Sequence, residues 1–337
     1  MGQTGGLEHR KETVFMDSQA HDNFPAPAGI PDSDLLTADD LRLIGEVLRA
    51  NPEEVTGISA LKKGMTNRSF LFSCRGKKYI MRVPGEGTGR LISRPEEAAV
   101  YRLIQGRELC EDVLYIDPDS GYKISRFIEG ARTCDPMNER ETAACMNKLR
   151  SFHELNLRAD HEFDLFGHID FYESLWEGRP SAYPDYRETK ENVFRLKPFL
   201  DAQVGKKVLT HIDAVPDNFL FFRNDRGGEE IRLIDWEYAA MQDPHVDVAM
   251  FCIYAMYDRE QANRLIDQYF AGDCPALTRV KIYGYIAVCG LLWSNWCEYK
   301  RSLGVEFGAY SLAQYRYARD YCEIVRGELE KLGEDLP

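Results

Sequence analysis

Three strand-like runs crowd into residues 57–83: GISALKK, SFLFSC and KKYIMRV. Only GMTNR separates the first two, and only RG the last two. Gly, Asn and Thr are turn formers, and links this short leave no room for the crossover that parallel strands need. The runs therefore predict an antiparallel sheet. RPEEAAVYRLIQ then reads as a helix, and VLYIDPDSGYKISRFIEG as two more strands around a turn. Upstream, Thr37 and Asp40 open the apolar-periodic run ADDLRLIGEVLRAN with the spacing of a helix N-cap. Past residue 130 the pattern changes: NERETAACMNKLRSFHELN is a helix by spacing, and most of the remainder is helical. The expectation is an α+β chain in three parts. Residues 1–36 are a polar, flexible arm, 37–128 an antiparallel-sheet N-lobe and 129–337 a mostly helical C-lobe. Ligands favour the cleft between two such lobes.

Composition narrows the partners. A chain of 337 residues with 44% hydrophobic and 29% charged residues can bury a sizeable core. A net charge of −13 argues against nucleic acid, whose phosphates it would repel. Nine scattered cysteines without a Cys-x-x-Cys pair read as reduced thiols of a cytoplasmic protein. The start MGQTGGLEHRKETVF lacks a signal peptide's apolar segment and the sixth-position Ser or Thr of a myristoylation signal. The most apolar stretch, IYGYIAVCGLLWSNW, is too short and too punctuated to span a bilayer and reads as a buried helix, so no membrane partner is expected.

The stretch VLTHIDAVPDNFLFF, residues 208–222, sets two acids, a histidine and an asparagine among apolar residues. His211, Asp213 and Asn218 stand in the order H-x-D-x-x-x-x-N, and Asp235 follows after a hairpin through RNDRGG. That hairpin can return Asp235 close to Asn218. Cleft acids repel one another unless a metal or a substrate proton compensates them, and two carboxylates with an amide oxygen suit Mg²⁺. Kinases use this order: a loop Asp takes the substrate hydroxyl's proton, an Asn holds Mg²⁺, and a later Asp bridges Mg²⁺ to the phosphates.

The sheet supplies the other half. KKYIMRVPG puts Arg82 on the third strand, where protein kinases keep a phosphate-binding Lys, and Glu97 lies in the following helix, where its ion-pair partner is needed. Arg clamps phosphate bidentately, so the exchange is chemically sound. Alone, Arg82 and Glu97 would be ordinary surface charges; their order relative to Asp213 and Asp235 favours function. GMTNRS stands where a Gly-rich phosphate loop would be, without its G-x-G-x-x-G, so Gly64, Thr66 and Asn67 would act through backbone N–H groups and small side chains. No A-P-E and no Ser/Thr-bearing activation segment follow LID; WEYAAMQDPHVDVAMF comes instead. A protein kinase needs that segment to present a polypeptide, so a small-molecule acceptor is expected.

HIDAVPDNFLF and RLIDWEYAAMQDPHVDVA resemble the aminoglycoside phosphotransferase and choline/ethanolamine kinase superfamily. DWEYA, SRFIEG and LLWSNWCEYKRSLGVEFGAYSLAQYRYA resemble bacterial choline kinases in particular. The likeness runs from about residue 38 to 325. It implies a protein-kinase-like two-lobe fold and ATP-dependent phosphorylation of a small alcohol. On that likeness Asp213 is the catalytic base, Asn218 and Asp235 hold Mg²⁺, and Arg82 and Glu97 are the phosphate clamp and its partner. Phe127 and Ile128, in the hinge, would hold adenine through backbone groups.

Trp293 and Trp296 are three apart on a predicted helix and share a face, with Tyr310, Tyr315 and Tyr317 close behind. Aromatic cages hold quaternary ammonium groups, and Glu237 could add the countercharge. The same rings could equally pack between helices. A cage formed by Glu237, Trp293, Trp296 and Tyr315 would suit a cationic alcohol, choline or ethanolamine. An aminoglycoside would need more acids, and a non-catalytic ATP-binding protein would ordinarily lose Asp213, Asn218 or Asp235. His153 and Asp247 are expected to fix loops, and His211 to orient the catalytic loop.

Overall fold

The computed structural model describes residues 36–63, 67–85 and 88–334. The expected arm therefore lies almost wholly outside the described residues, as do Gly64 and Thr66 of the predicted phosphate loop.

Helix α1 (Ala38–Leu48) begins where the sequence placed it. Thr37 Oγ1 accepts the Asp40 N–H at 3.2 Å, and the Asp40 carboxylate accepts the Thr37 N–H at 2.8 Å, which closes a capping box. The sheet follows: β1 (Val55–Lys63), β2 (Asn67–Cys74), β3 (Lys77–Pro84), β4 (Val113–Ile116) and β5 (Lys123–Arg126). Its order is β1-β2-β3-β5-β4, and every pair is antiparallel. Alternation along β2 and β3 sends Phe70, Phe72, Tyr79, Met81 and Val83 into one core with Ile44 of α1. The same alternation turns Arg82 to the other face, where α2 (Arg94–Ile104) packs Glu97 and Ala98.

A short β6 (Arg132–Thr133) leads into the helical part. Helix α3 (Glu139–Glu154) is capped by Asn138, whose Oδ1 accepts the Arg140 N–H at 3.1 Å. It is followed by α4 (Leu165–Ser174), α5 (Tyr186–Arg195) and α6 (Lys197–Gln203). Four short strands come next: β7 (Val208–Thr210), β8 (Phe219–Arg223), β9 (Glu229–Leu233) and β10 (Ala240–Gln242). Strand β8 pairs with both β6 and β9, and β7 pairs with β10. The expected β8–β9 hairpin is present. Strands β6 and β10 were not foreseen, because runs of two or three residues carry no readable period.

The chain ends in α7 (His245–Tyr254), α8 (Arg259–Phe270), α9 (Ala276–Ser302) and α10 (Ala309–Leu332). Helix α9 is the axis of this part. It is buried on all sides from Val280 to Leu292, as an all-round apolar helix must be. Among the described residues, no helix is long and apolar enough to cross a membrane.

Gly290 marks the closest approach of α9 to α10. A Cβ there would lie 2.8 Å from the Gln314 carbonyl oxygen and 2.8 Å from the Tyr317 Cβ. Gly327, also helical, has nothing within 4 Å of its would-be Cβ. We expect Gly290→Val to cost at least about 1–3 kcal/mol through overpacking. Gly327→Ala should instead add roughly 0.5–1 kcal/mol by helix propensity. Urea unfolding of the two variants reads both signs, and equal effects would mean that this contact does not limit α9–α10 packing.

Candidate active site

The loop from His211 to Asn218 is held at both ends by strands. Thr210 of β7 pairs with Ala240, and Phe219 of β8 pairs with Leu233. These same partners flank the loop that carries Asp235, and the Ile234 N–H donates to the Asn218 carbonyl at 3.0 Å. The hairpin thus returns Asp235 beside Asn218, as its length suggested.

Both loops contain a non-glycine residue in the left-handed region, Ile212 at φ 67° and Asp235 at φ 67°. Such conformations cost on the order of 1–3 kcal/mol and persist only where the surroundings hold them. Asp247 of α7 holds the first of them. Its carboxylate, fully buried, accepts the His211 N–H at 2.9 Å and the Ile212 N–H at 2.8 Å. His153 Nε2 donates to the same carboxylate at 2.9 Å, and His153 Nδ1 meets the Tyr269 hydroxyl at 2.8 Å. His211 Nε2 lies 2.9 Å from the Ile234 carbonyl, which can only accept, so that nitrogen carries the proton. Burial lowers the His211 pKa, so the ring is neutral and ties the Asp213 loop to the Asp235 loop. His153, His211 and Asp247 thus have the loop-fixing geometry expected of them.

Asp213 and Asp235 both stay partly accessible at the surface of the site. Asn218 donates its amide to the Asp213 carbonyl at 2.8 Å and to its carboxylate at 3.2 Å. Burial, then Asp235 and Glu237, push Asp213 up to about 8. Burial also raises Asp235, with Arg82 and Lys123 opposing it. Glu237 goes up to about 7, again chiefly through burial and the Asp235 charge. Three carboxyls thus share one region with too little positive charge.

On the sheet side, Arg82 and Glu97 form the expected ion pair. Arg82 donates through both terminal nitrogens to Glu97, the second at 2.8 Å, and to the Gly121 carbonyl at 3.1 Å. Burial works against the Glu97 charge, but Arg82, Lys123 and Arg94 outweigh it and hold the carboxyl below its ordinary range. Arg82 Nε is buried without a hydrogen-bond partner. An orphaned buried donor costs about 1–3 kcal/mol.

The sequence reading missed Arg94. Its guanidinium donates to Glu97 at 3.0 Å and to Asn67 Oδ1 at 3.0 Å, and it lies 3.5 Å from Glu237. Asn67 in turn donates to Glu237 at 2.8 Å. Gly121 clears the space: at φ 77°, its would-be Cβ falls 2.5 Å from Arg94 Cδ. Arg94 stands three residues before Glu97, a spacing that puts both on one helix face and was the available signal. Glu237 is thereby held among the sheet-side guanidinium groups. Phe127 donates its N–H to the Lys78 carbonyl at 3.1 Å, directly after β5, and Ile128 follows it.

The aromatic residues form a chain. Trp293 and Trp296 meet edge to face, with centroids 5.5 Å apart. Tyr238 packs on Trp293 at 5.9 Å, Phe307 on Trp296 at 5.3 Å, Tyr310 on Phe307 at 6.4 Å and Tyr254 on Tyr310 at 6.1 Å. Tyr254 then donates to Asp217 of the His211–Asn218 loop at 2.7 Å. Tyr238, Tyr254 and Phe307 were not foreseen, although Tyr238 sits inside the quoted DWEYA. Tyr315 is not in this chain. It stacks on Tyr183 at 3.9 Å, and its hydroxyl donates to Asp185 at 2.7 Å. Tyr317 donates to the Tyr257 carbonyl at 2.8 Å.

Asp247→Ala would orphan the buried His211 and Ile212 amides, at about 1–3 kcal/mol each. Chemical denaturation should show a loss of that size, and a loss below about 1 kcal/mol would contradict the bracing role.

The sequence profile of the phosphotransferase enzyme family matches residues 57–283. Protein LicA of Haemophilus influenzae is 28% identical over 262 residues, which cover 74% of this chain and 95% of LicA. The structure resembles choline kinase LicA from Streptococcus pneumoniae with a TM-score of 0.71 at 28% identity, covering 84% of this chain and 98% of the other. A structure of LicA in complex with AMP gives 0.70, also at 28% identity and with the same coverage. A thermostable mutant of aminoglycoside phosphotransferase APH(4)-Ia shares the fold, with a TM-score of 0.54 at 19% identity over 84% of this chain and 97% of the other. With its mixed sheet and helical architecture, the chain belongs to the phosphotransferase enzyme family.

Proposed function

We propose that the chain is an ATP- and Mg²⁺-dependent kinase that phosphorylates the hydroxyl of a small cationic alcohol, choline or ethanolamine. One observation carries the reading: the aromatic chain that begins at Tyr238, three residues after Asp235, ends on Asp217, beside Asn218. A cation-binding surface and a set of oxygen ligands thus share the same two loops. The likeness to choline kinase LicA supports the substrate class, and the AMP complex of LicA supports an adenine nucleotide. Residues 37–128 would then be the nucleotide half and 129–337 the catalytic and acceptor half. All nine cysteines are free, in keeping with a reducing cytoplasm, where ATP is found.

The site residues take these roles. Asp213 accepts the acceptor's hydroxyl proton as the oxygen attacks the terminal phosphoryl group and ADP leaves. Asn218 anchors the Asp213 loop through its amide N–H groups, which leaves its amide oxygen as a ligand. Arg82 is held by Glu97 in a fixed orientation, and its orphaned Nε–H is a donor for phosphate. Asn67, with Gly64 and Thr66 before it, would line the phosphates, and backbone groups of Phe127 and Ile128 would meet adenine. Trp293 and Trp296 offer ring faces to the cationic head group, joined by Tyr238 and Tyr310. Glu237 supplies negative charge nearby, and Tyr315 would act only through its packing against Tyr183.

Mg²⁺ fits the donor set. Among the described residues, no group of three His, Cys, Asp or Glu side chains could hold a metal alone; the set here is Asp235 with the Asn218 oxygen, completed by phosphate. Acids pushed up to about 8 and about 7 are short of positive charge, which a hard divalent cation would supply. Once bound, the ion would offset the negative charge of the phosphates.

An ADP-release assay against choline, ethanolamine and kanamycin tests the reading, and turnover of kanamycin alone would overturn it. Asp213→Asn keeps the shape and removes the proton acceptor. We expect kcat to fall on the order of 10²-fold or more with nucleotide affinity nearly unchanged. Trp293→Leu keeps apolar bulk and removes ring attraction worth roughly 0.5–2 kcal/mol. It should weaken choline through KM while sparing the neutral isostere 3,3-dimethylbutan-1-ol. Equal losses on both alcohols would reduce the tryptophan to packing.

A further inference from the structure

The aromatic chain already holds a cation. Lys300 lies four residues after Trp296 on α9, so both share a helix face. Its ammonium stands 5.3 Å from the Trp296 ring centroid. Lysine stems usually carry the charge out to water, yet Lys300 is only 9% exposed. Burial lowers its pKa, and Glu237 is the acid that opposes this shift. The ammonium thus lies within the field of the same acid that borders Asp235. The rest of Trp296 is covered, by the edge contact with Trp293 and by Phe307 at 5.3 Å.

We propose that Lys300 is a specificity-determining residue of the acceptor pocket, whose ammonium occupies the Trp296 face and has to give way to the cationic head group of the substrate. The inference rests on the acceptor reading above. Any acceptor that takes this face must displace the ammonium, but only a cationic one also meets like-charge repulsion there, so Lys300 works against cationic acceptors more than against neutral ones of the same shape. It tunes the pocket toward weaker retention of the charged alcohol. The small primary ammonium of ethanolamine would displace the lysine less than the trimethylated head group of choline, so the residue also bears on the choice between the two.

The test uses the full chain, with choline and 3,3-dimethylbutan-1-ol as acceptors, in Lys300→Met and Lys300→Arg. Met keeps the length and apolar stem and deletes the charge; Arg keeps the charge. In Lys300→Met the KM for choline should fall roughly 3–30-fold, the range of one cation–ring contact, with the change in KM rather than kcat. The KM for the neutral alcohol should fall less than that for choline, and Lys300→Arg should behave like the parent. Quenching of tryptophan fluorescence by choline without ATP should show the same order of affinities. If Lys300→Met fails to fold, Lys300→Gln gives the same comparison. A choline KM that is unchanged or higher in the charge-deleted variant overturns the proposal. A parent that turns over neither choline nor ethanolamine instead removes the acceptor reading, so the two failures are separable.

Discussion

The site depends on one buried carboxylate. Asp247 accepts the adjacent amides of His211 and Ile212 and also receives His153. Those bonds, with the burial of the Ile212 side chain, compensate a β-branched residue at φ 67°. The turn at Ile212 directs Asp213 out of the apolar β7 and toward Asn218 and Asp235. The backbone strain is local, whereas its support comes from α3 and α7. The aim of the proposed base is thereby fixed by the packing of the helical part, and the strands on either side only set its position.

Charge is compensated unevenly around this point. On the sheet side, Arg82 and Arg94 face Glu97 directly, and Glu97 is held below its ordinary range. Asp213, Asp235 and Glu237 are all pushed up, chiefly by burial, Glu237 even with Arg94 3.5 Å away. Positive charge is thus concentrated around Glu97, while Asp213 and Asp235 belong to a buried group of acids that raise one another. Arg82 Nε stays without a hydrogen-bond partner inside this ion pair.

Much of this was legible in the sequence, for reasons that differ by residue. Asp213, Asn218 and Asp235 could be grouped because a hairpin of known length can return the chain, and Arg82 and Glu97 because they stand on the third strand and the helix after it, in kinase order relative to Asp213 and Asp235. The capping box at Thr37 follows from local chemistry alone. Strands β6 and β10 were hidden by their brevity, and Arg94 because its partners Asn67 and Glu237 converge on it only after folding. Tyr315 illustrates the opposite error. Five residues on an α-helix turn through about 140° relative to Tyr310, so closeness in sequence put the two rings on different faces of α10. One reached the chain of rings, and the other reached Tyr183.

Glu237 shows how the two halves of the site are coupled. It sits two residues from Asp235, accepts from Asn67 at the exit of the predicted phosphate loop, and precedes Tyr238, which packs on Trp293. One side of this short segment therefore faces the proposed nucleotide and the other the proposed acceptor. Displacement of the Asn67 bond to Glu237 would be felt at Tyr238 through a single peptide unit, with no intervening loop to absorb it. The segment is also strained at Asp235, so it has few alternative conformations to adopt. Nucleotide and acceptor would then meet a single stiff element, and the alignment of hydroxyl and phosphoryl would follow from the stiffness of residues 235–238 rather than from contacts between the substrates themselves.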